Sequence, residues 1–369
     1  MNIVFITTYD SSCGIATYTK KLAKELAKEH KVFILAELDQ KAFAPTHYND
    51  PDTGAYIYKL WKRSNPYKAA FGLSSIINFF RAQKNFKPDA IHIQHEFGIF
   101  PYDEAFFTLL QELGEFTSNK VITFHTISRP PDNVGFFSKL ENYIVKTIAH
   151  TGPGLTVLSK TPSEFGTLST FTLIPHGCPS PVTLPRGIKS LPDGVNILCS
   201  GFMAPSKGHE ELITSFGLAW PEFINPAYLH IVGLCRDNNY LNTLKSQIRS
   251  FNLESNILID EGFKTDTEIE EYQNSVDFVL LGGRKTSPYS ASGQLAQALG
   301  AQLPVIAKDL PIYRSQNSEK VMYFIDNIEC AYFIKQLVNS KTLRLKLGNH
   351  EGFPTWPDVA RKHISLYNT

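Results

Sequence analysis

Short apolar runs rich in β-branched residues alternate along the chain with longer stretches of helical periodicity. In the first half, the runs that predict strands are NIVFITT, KVFILAEL, AIHIQHE, KVITFHT, GLTVLS and FTLIPHG. In the second half they are VNILCSG, YLHIVGL, ILIDEGF, DFVLLGG and LPVIAKD. Between the runs lie amphipathic stretches such as TYTKKLAKELAKEH, where Leu22 and Leu26 share one face. Continuous apolar strands separated by helices predict parallel sheets covered on both faces.

The alternation occurs twice, and a segment rich in proline and glycine, residues 176–194, separates the two copies. Its prolines can continue neither a helix nor a central strand. We therefore predict two tandem Rossmann-like, doubly wound α/β domains, residues 1–182 and 183–350, and a closing helix in 351–369. Because such sheets bind ligands beyond the carboxyl ends of their strands, we expect both crevices to open on one central cleft.

Composition narrows the class of protein and its partners. Apolar residues make up 43% and charged residues 19%, and 36 basic against 35 acidic side chains give a net charge of +1. A chain with this charge balance has no overall positive electrostatic field to attract a polyanion, so we do not expect nucleic acid as a partner. Five scattered cysteines without a C-x-x-C pair favour reduced thiols over a disulfide framework. Without a recognisable signal peptide or membrane span, we expect a cytoplasmic protein.

The loop after the first predicted strand contains Gly14 and leads into a helix. A glycine there would let an anionic ligand approach the amides of the helix N-terminus, and an ordinary tight turn is the alternative. The G-x-G-x-x-G pattern of dinucleotide-binding enzymes is absent, which weighs against a dehydrogenase.

Two segments of the second half also follow predicted strands. In SGFMAPSKGHEELITSF a strand ends at Gly201, and Lys207 precedes a helix, where its charge would neutralise a diphosphate leaving group. The alternative for Lys207 is a solvated surface position. In the other segment, small residues before a helix would leave amides open to phosphate, or would simply form a serine-capped loop. These residues are Ser290, Ala291, Ser292 and Gly293, with Arg284 and Lys285 upstream.

Histidines end several strands of the first half. His125 and His176 could hydrogen-bond a sugar hydroxyl or a phosphate, or be satisfied within the core. In HIQHEFG, a strand would turn His92 and Gln94 to one side and His95 to the other. This spacing matches no zinc motif, so we expect a loop lining the cleft and no metal.

Taken in order, these segments resemble glycosyltransferase family 4, whose members are retaining enzymes of the GT-B fold. CGIATYTKKL is similar to the N-terminal glycine loop of the family, and IHIQHEFGIF, TFHT and TLIPHGCP are similar to the cleft elements that follow. SGFMAPSKGHEELITSF resembles the donor-lysine block, and SASGQLAQALGAQLPVIA the block that holds ribose and phosphate. FPTWPDVARKHISLY resembles the helix that crosses back onto the first domain.

The resemblance implies transfer of a sugar from a UDP- or GDP-sugar to a carbohydrate or lipid-linked acceptor, without metal or other cofactor. Lys207 and the amides around Gly14 and 290–293 would hold the diphosphate, and His125 would lie beside the donor sugar. The implied donor-side residues also include Gly201, Phe263, Arg284, Ser290, Ala291, Ser292, Gly293 and Gln297. The implied acceptor-side residues are His95 and Glu96.

The sequence departs from the family pattern at three positions. Phe202 stands where many relatives have an arginine, five residues before the lysine, and Tyr289 and Gln297 stand where many have glutamates. Gln297 can still form hydrogen bonds but carries no charge. Arg284 or Lys285 is a candidate for replacing the charge of the arginine.

Other interpretations remain open. One is a related GT-B epimerase or phosphorylase, although Tyr289 and Gln297 remove carboxylates that an epimerase would need. Another is a non-catalytic sugar-nucleotide-binding or scaffold protein. A peripheral contact with the inner face of a membrane is a further hypothesis, against the alternative of solvated side chains. It rests on Lys20, Lys21, Lys24, Lys28, Phe79, Phe80 and Arg81.

Overall fold

The computed structural model describes residues 1–100, 103–127, 134–150, 171–179, 189–284, 289–314, 319–350 and 352–369. The chain forms two compact units. The first unit consists of residues 1–176, 287–291 and 356–369, and the second of residues 177–286 and 292–355. The boundary predicted at 182/183 and the predicted strand GLTVLS lie outside the described residues.

Helices and strands alternate along both units. The helices are α1 Gly14–Leu26, α2 Ser74–Ala82, α3 Glu104–Leu113, α4 Val134–Leu140, α5 His209–Ala219, α6 Asn238–Ser250, α7 Asp266–Gln273, α8 Gly293–Gly300, α9 Pro311–Arg314, α10 Asn327–Asn339, α11 Lys341–Gly348 and α12 Trp356–Tyr367. The strands are β1 Asn2–Thr7, β2 Lys31–Glu37, β3 Thr46–Asn49, β4 Tyr56–Trp61, β5 Ala90–His95, β6 Lys120–Phe124, β7 Thr126–Ile127, β8 Lys146–Ala149, β9 Phe171–Leu173, β10 Val195–Ser200, β11 Ala227–Gly233, β12 Ile257–Glu261, β13 Phe278–Leu281, β14 Tyr289–Ser290, β15 Val305–Lys308 and β16 Val321–Phe324.

The first unit is built on a sheet with the strand order β3-β4-β2-β1-β5-β6-β8-β9. Its neighbouring strands are parallel except for β3 and β4. Strand β1 is covered on both sides: Val4 and Ile6 belong to the core beneath α2 and α3. Ile3 and Phe5 belong to the core beneath α1 and α12. Both faces are apolar because both are buried, which is why the strands read as continuous runs.

The second unit has a six-stranded sheet in the order β12-β11-β10-β13-β15-β16, and all its neighbouring strands are parallel. Every residue of the central strand β10 is buried. The predicted fold class, two Rossmann-like doubly wound domains, is therefore confirmed.

Helix α1 begins at Gly14, three residues before the stretch that the periodicity marked, and it buries Leu22 and Leu26 as predicted. The closing helix α12 belongs to the first unit, where it packs against α1 and buries Trp356 and Tyr367. Within the described ranges, no helix is both long and apolar enough to span a bilayer.

In the second unit the chain segments that leave β10 and β11 approach one another closely. Gly201 and Gly233 have φ angles of 117° and 145°, in a region that disfavours residues with a side chain. A Cβ atom on Gly233 would lie 2.0 Å from the carbonyl oxygen of Gly201. Glycine is thus required there both by conformation and by space.

Replacing Gly233 by alanine should lower the free energy of unfolding by roughly 2–3 kcal/mol, because strain and a backbone clash add. Urea denaturation followed by circular dichroism measures the change. Gly98→Ala is the matched control, since a Cβ atom there meets nothing within 4 Å. Equal denaturation midpoints for the two variants would contradict the packing described.

Candidate active site

The loop that carries Lys207 lies at the carboxyl edge of the second sheet. A short 3-10 helix, Pro205–Lys207, follows β10, and Gly208 adopts a left-handed φ of 68° before α5 begins. Gly282, just after β13, packs so tightly that a Cβ atom on it would lie 2.7 Å from the carbonyl oxygen of Lys207. The lysine loop is therefore fixed against the end of the neighbouring parallel strand, where ligands of such sheets bind.

Lys207 is half-buried, and burial lowers the pKa of its ammonium group. Within the described ranges, no carboxylate lies at ion-pair distance from it. A partly desolvated cation without a counter-charge is an unfavourable arrangement on its own, and a bound anion would relieve it. The position predicted from the sequence thus has the electrostatics of an anion site.

Helix α8 begins at the same edge. The hydroxyl of Ser292 accepts a hydrogen bond from the amide of Leu295 at 3.2 Å, so it caps the helix. The first intrahelical bond runs from the amide of Ala296 to the carbonyl of Ser292, so the amides of Gly293 and Gln294 precede it. The serine cap and amides available to an anion coexist, although the sequence presented them as alternatives.

Gln294 was not predicted from the sequence, yet it joins the two segments. A Cβ atom on Gly201 would lie 2.1 Å from Nε2 of Gln294, so this amide side chain rests on the backbone of Gly201. Gln297, the predicted residue, is half-buried one turn further along α8. The sequence signal for Gln294 was its place in the first helical turn directly after Gly293.

Two other predicted donor-side residues, Arg284 and Phe263, follow strands of the second sheet. The guanidinium of Arg284 pairs with the carboxylate of Glu210 at 3.4 Å, so its charge is already partnered. Phe263 follows β12 directly after Gly262 and is 52% exposed. Lys285 and the side chain of Tyr289 lie outside the described residues.

In the first unit, His125 ends a chain of buried hydrogen bonds. Its Nε2 lies 2.7 Å from Oε1 of Gln94, whose Nε2 lies 3.4 Å from Nε2 of His92. The amide oxygen of Gln94 can only accept, so His125 donates from Nε2 and keeps Nδ1 as an acceptor. His92 in turn contacts the hydroxyls of Thr123 at 2.7 Å and Tyr367 at 2.6 Å. His92 and Gln94 share a face, as predicted.

The buried histidines of this region, His92, His125, His150 and His363, are uncharged at neutral pH. Burial, followed by the proximity of other histidines, lowers the pKa of His125 well below its ordinary range. Burial also lowers the pKa of His150 and of His363 to about 4. Two of these histidines contact the buried Tyr18, whose ring centroid lies 4.8 Å from that of His125 and 5.0 Å from that of His150.

His176 belongs to this same group of rings. It lies 5.3 Å from the ring centroids of both Tyr18 and Trp356, which α12 contributes. The sequence drew attention to His176 but not to Tyr18 or Trp356, because the contact depends on the return of α12 to the first unit.

His95 points to the opposite face, into an aromatic cluster. Five phenylalanine rings lie within 5.9 Å of its centroid, and burial lowers its pKa to about 3. Neither ring nitrogen has a hydrogen-bond partner among the residues that the structure describes. An acceptor contact by His95 would require this cluster to open, and its acceptor-side role stays a prediction.

Glu96 lies beside the short antiparallel ladder of β7 and β14. Its carboxylate accepts hydrogen bonds from the hydroxyl of Thr126 and from two backbone amides, yet burial raises its pKa. Thr126 pairs with Ser290, and Ala291 follows directly. His125 directly precedes Thr126 in the chain. The ladder therefore brings Ser290 and Ala291, which were predicted to bind the donor, beside Glu96 and His125.

Gly14 opens α1, and Cys13 provides no side-chain cap for the first amides of the helix. Gly14 is exposed, and a Cβ atom on it would meet nothing within 4 Å. The role of Gly14 in holding an anionic ligand stays a prediction.

In the part of the chain that the structure describes, no group of three histidine, cysteine, aspartate or glutamate residues is arranged to hold a metal ion. Some side chains considered for membrane contact are occupied within the protein. Phe80 is buried, Arg81 lies 3.2 Å from Glu115, and Lys20 pairs with Asp52 at 2.9 Å. They offer less to a lipid surface than the sequence indicated.

Comparison with known proteins supports the predicted fold and family. Residues 13–161 match the model of Glycosyltransferase Family 4. No curated protein matches the chain. A glycosyltransferase from Rickettsia africae is similar over 100% of this chain and 98% of its own, at 15% identity and a TM-score of 0.71.

Two further structures were solved with ligands. Anabaena HepE, in complex with UDP and glucose, is similar over all of both chains at 12% identity and a TM-score of 0.73. The pneumococcal O-GlcNAc transferase GtfA, in complex with UDP and GlcNAc, is similar over 100% of this chain and 98% of its own, at 12% identity and a TM-score of 0.68. At such identities the likeness establishes the GT-B fold.

Acidification from pH 7 to pH 5 should destabilise the first unit. Unfolded histidines with pKa values near 6.5 bind protons in this range, whereas His150 and His363 in the folded state do not. Each should then cost roughly 2 kcal/mol of stability at pH 5. The measurement is the urea midpoint against pH. The stability lost between pH 7 and pH 5 should be smaller in His363→Gln than in the wild type. In the exposed control His47→Gln it should equal that of the wild type. A urea midpoint that does not change with pH would contradict the neutral state of the buried histidines.

Proposed function

We propose that this chain, a glycosyltransferase of family 4 by its residues 13–161 and of GT-B fold along its whole length, transfers a sugar from a nucleotide donor with retention of configuration. The match of residues 13–161 to the family model agrees with the family and the class of enzyme predicted from the sequence. The donor, the acceptor, the stereochemical course and the independence from metal constitute the proposal.

The observation that carries the proposal is half-buried Lys207, whose ammonium group has no carboxylate partner within the described ranges. A diphosphate leaving group would supply the missing negative charge, and its charge grows as the sugar–phosphate bond breaks. A cation held in place before the reaction stabilises that charge without reorganisation. The amides of Gly293 and Gln294 add to it, so the leaving group needs no divalent ion.

His125 is suited to the donor sugar because it is neutral. The transition state of glycosyl transfer carries positive charge at the anomeric carbon, and an imidazolium nearby would oppose it. The neutral ring, oriented by Gln94, instead offers hydrogen bonding to a sugar hydroxyl. The acceptor hydroxyl then attacks the face from which the phosphate departs and gives its proton to that phosphate.

UDP-sugars are the favoured donors, since two proteins of the same fold were solved with UDP. GDP-sugars remain the second choice. The acceptor is a carbohydrate or a lipid-linked sugar. Glu96, whose pKa burial raises, is our candidate for a hydrogen bond to an acceptor hydroxyl.

A second candidate function is sugar-nucleotide binding without catalysis. The replacement of three charged residues of the family pattern by Phe202, Tyr289 and Gln297 favours it. The epimerase alternative is disfavoured by the same replacements, because two of them remove carboxylates.

Titration calorimetry with UDP, GDP and their sugars, followed by mass spectrometry of UDP or GDP release with an acceptor panel, tests the proposal. We expect binding of UDP and release of UDP that depends on acceptor. Failure of every nucleotide to bind would reject the transferase. Binding without turnover would support the non-catalytic candidate.

Lys207→Ala should lower turnover by about 10²–10³-fold, as expected for loss of a group that stabilises the departing charge. Release of the nucleoside diphosphate measures turnover, and thermal unfolding should stay near that of the wild type. Lys245→Ala, at an exposed position on α6, is the matched control. Turnover of Lys207→Ala within twofold of the wild type would remove Lys207 from the mechanism.

His125→Ala should lower transfer by about 10²-fold while changing affinity for UDP only slightly, because its proposed contact is with the sugar. Parallel measurements of UDP affinity and UDP release separate the two quantities. An equal loss of both would mean that His125 supports the fold of the first unit and does not act on the sugar.

A further inference from the structure

The loops that follow β10 and β11 run side by side beyond the sheet. The amide of Gly201 donates to the carbonyl of Val232 at 2.8 Å, and the amide of Met203 donates to that of Leu234 at 2.9 Å. Met203 also forms an isolated parallel bridge with Cys235. The ladder between β10 and β11 thus extends past the strands, and residue 202 comes beside the β11 loop.

Arg236 and Phe202 meet at this place. The guanidinium carbon of Arg236 lies 5.3 Å from the centroid of the Phe202 ring, within the range of a cation–π contact. Arg236 is exposed and Phe202 is half-buried. Among the residues that the structure describes, the guanidinium of Arg236 forms no hydrogen bond or ion pair, so its N–H groups are available to a ligand.

The carboxylates near Arg236 in sequence and space are engaged elsewhere. Asp237 caps α6 by accepting the amides of Asn239 at 2.9 Å and Tyr240 at 3.3 Å. Glu261 accepts the amide of Cys235 at 3.3 Å. Over the residues with a described structure, no carboxylate comes within ion-pair distance of Arg236.

Other cations near the ends of the strands have partners. Lys264 pairs with Asp260 at 2.7 Å, and the ammonium of Lys308 pairs with Glu211. Arg284, the expected substitute for an arginine at position 202, pairs with Glu210 at 3.4 Å. Lys207 and Arg236 therefore differ from these three in offering uncompensated charge to a ligand.

We propose that Arg236, supported on the ring of Phe202, binds the phosphates of the nucleotide donor as a second cation beside Lys207. The inference rests on the proposed function. Lys207 acts as a compact charge, whereas the guanidinium provides two parallel N–H groups that match a pair of phosphate oxygens. Phe202 then does more than replace the arginine that many members of the family have at this position: its ring supports the cation of Arg236.

Calorimetry with UDP, GDP, UMP and GMP tests the inference. Arg236→Gln should weaken the binding of the preferred nucleoside diphosphate by about 10- to 100-fold, the effect of removing hydrogen bonds to a charged group. Binding of the monophosphate should change less, so the preference for diphosphate should fall. Arg249→Gln, at another exposed position of the second unit, removes the same charge and should leave both affinities unchanged.

Two variants separate the support from the charge. Phe202→Leu keeps an apolar residue but removes the ring, and it should weaken diphosphate binding about threefold to tenfold. The double variant Phe202→Arg/Arg236→Ala returns a guanidinium to the same edge and should recover part of the affinity that Arg236→Ala loses.

The outcomes are distinguishable from failure of the proposed function. If the wild-type chain binds no nucleotide, both the function and the role of Arg236 are wrong. If it binds UDP or GDP and Arg236→Gln keeps the same affinity and the same preference for diphosphate, the role of Arg236 alone is wrong. Circular dichroism of each variant verifies that the second unit is folded.

Discussion

The close approach of backbone segments at the carboxyl edge of the second sheet is the constraint on which its candidate site depends. Gly201 and Gly233 permit this approach because they adopt positive φ angles and leave no room for a Cβ atom. The approach extends the pairing of β10 and β11 beyond the sheet, and it leaves the surface above Gly201 to the side chain of Gln294. Lys207 is fixed by the equivalent contact of its own loop with Gly282.

The first unit meets a different constraint, since its strands carry polar side chains into a buried layer. A continuous series of hydrogen bonds links three of these groups, from His125 through Gln94 to His92, and Tyr367 of the last helix completes it. Burial keeps the histidines neutral, as the stability of the core requires, and the sugar contact proposed for His125 would need the same protonation state.

Local pattern predicted the fold class, the central strands of both sheets and the buried face of α1, because these strands are buried on both sides and form continuous apolar runs. It did not predict the strands β3, β4, β8 and β16. It also predicted that His92 and His95 point apart. The local pattern could not predict contacts between segments that are distant in the sequence. Gln294 on Gly201 and Arg236 on Phe202 depend on how loops from separate strands meet in space. The expectation that Arg284 would replace a missing charge relied on nearness in sequence alone.

This difference changes how a departure from a family pattern is interpreted. A cationic side chain can serve a ligand at the carboxyl edge of a parallel sheet if its charged group lies near the strand ends. Several loops reach that edge, so the side chain can come from any of them. The loop after β11 can therefore supply what the loop after β10 lacks, provided that the two are held together. Backbone hydrogen bonds hold the loops after β10 and β11 side by side, and the ring of Phe202 contacts the guanidinium of Arg236. On this argument, the aromatic residue at position 202 belongs to a working donor site whose second cation comes from the neighbouring loop.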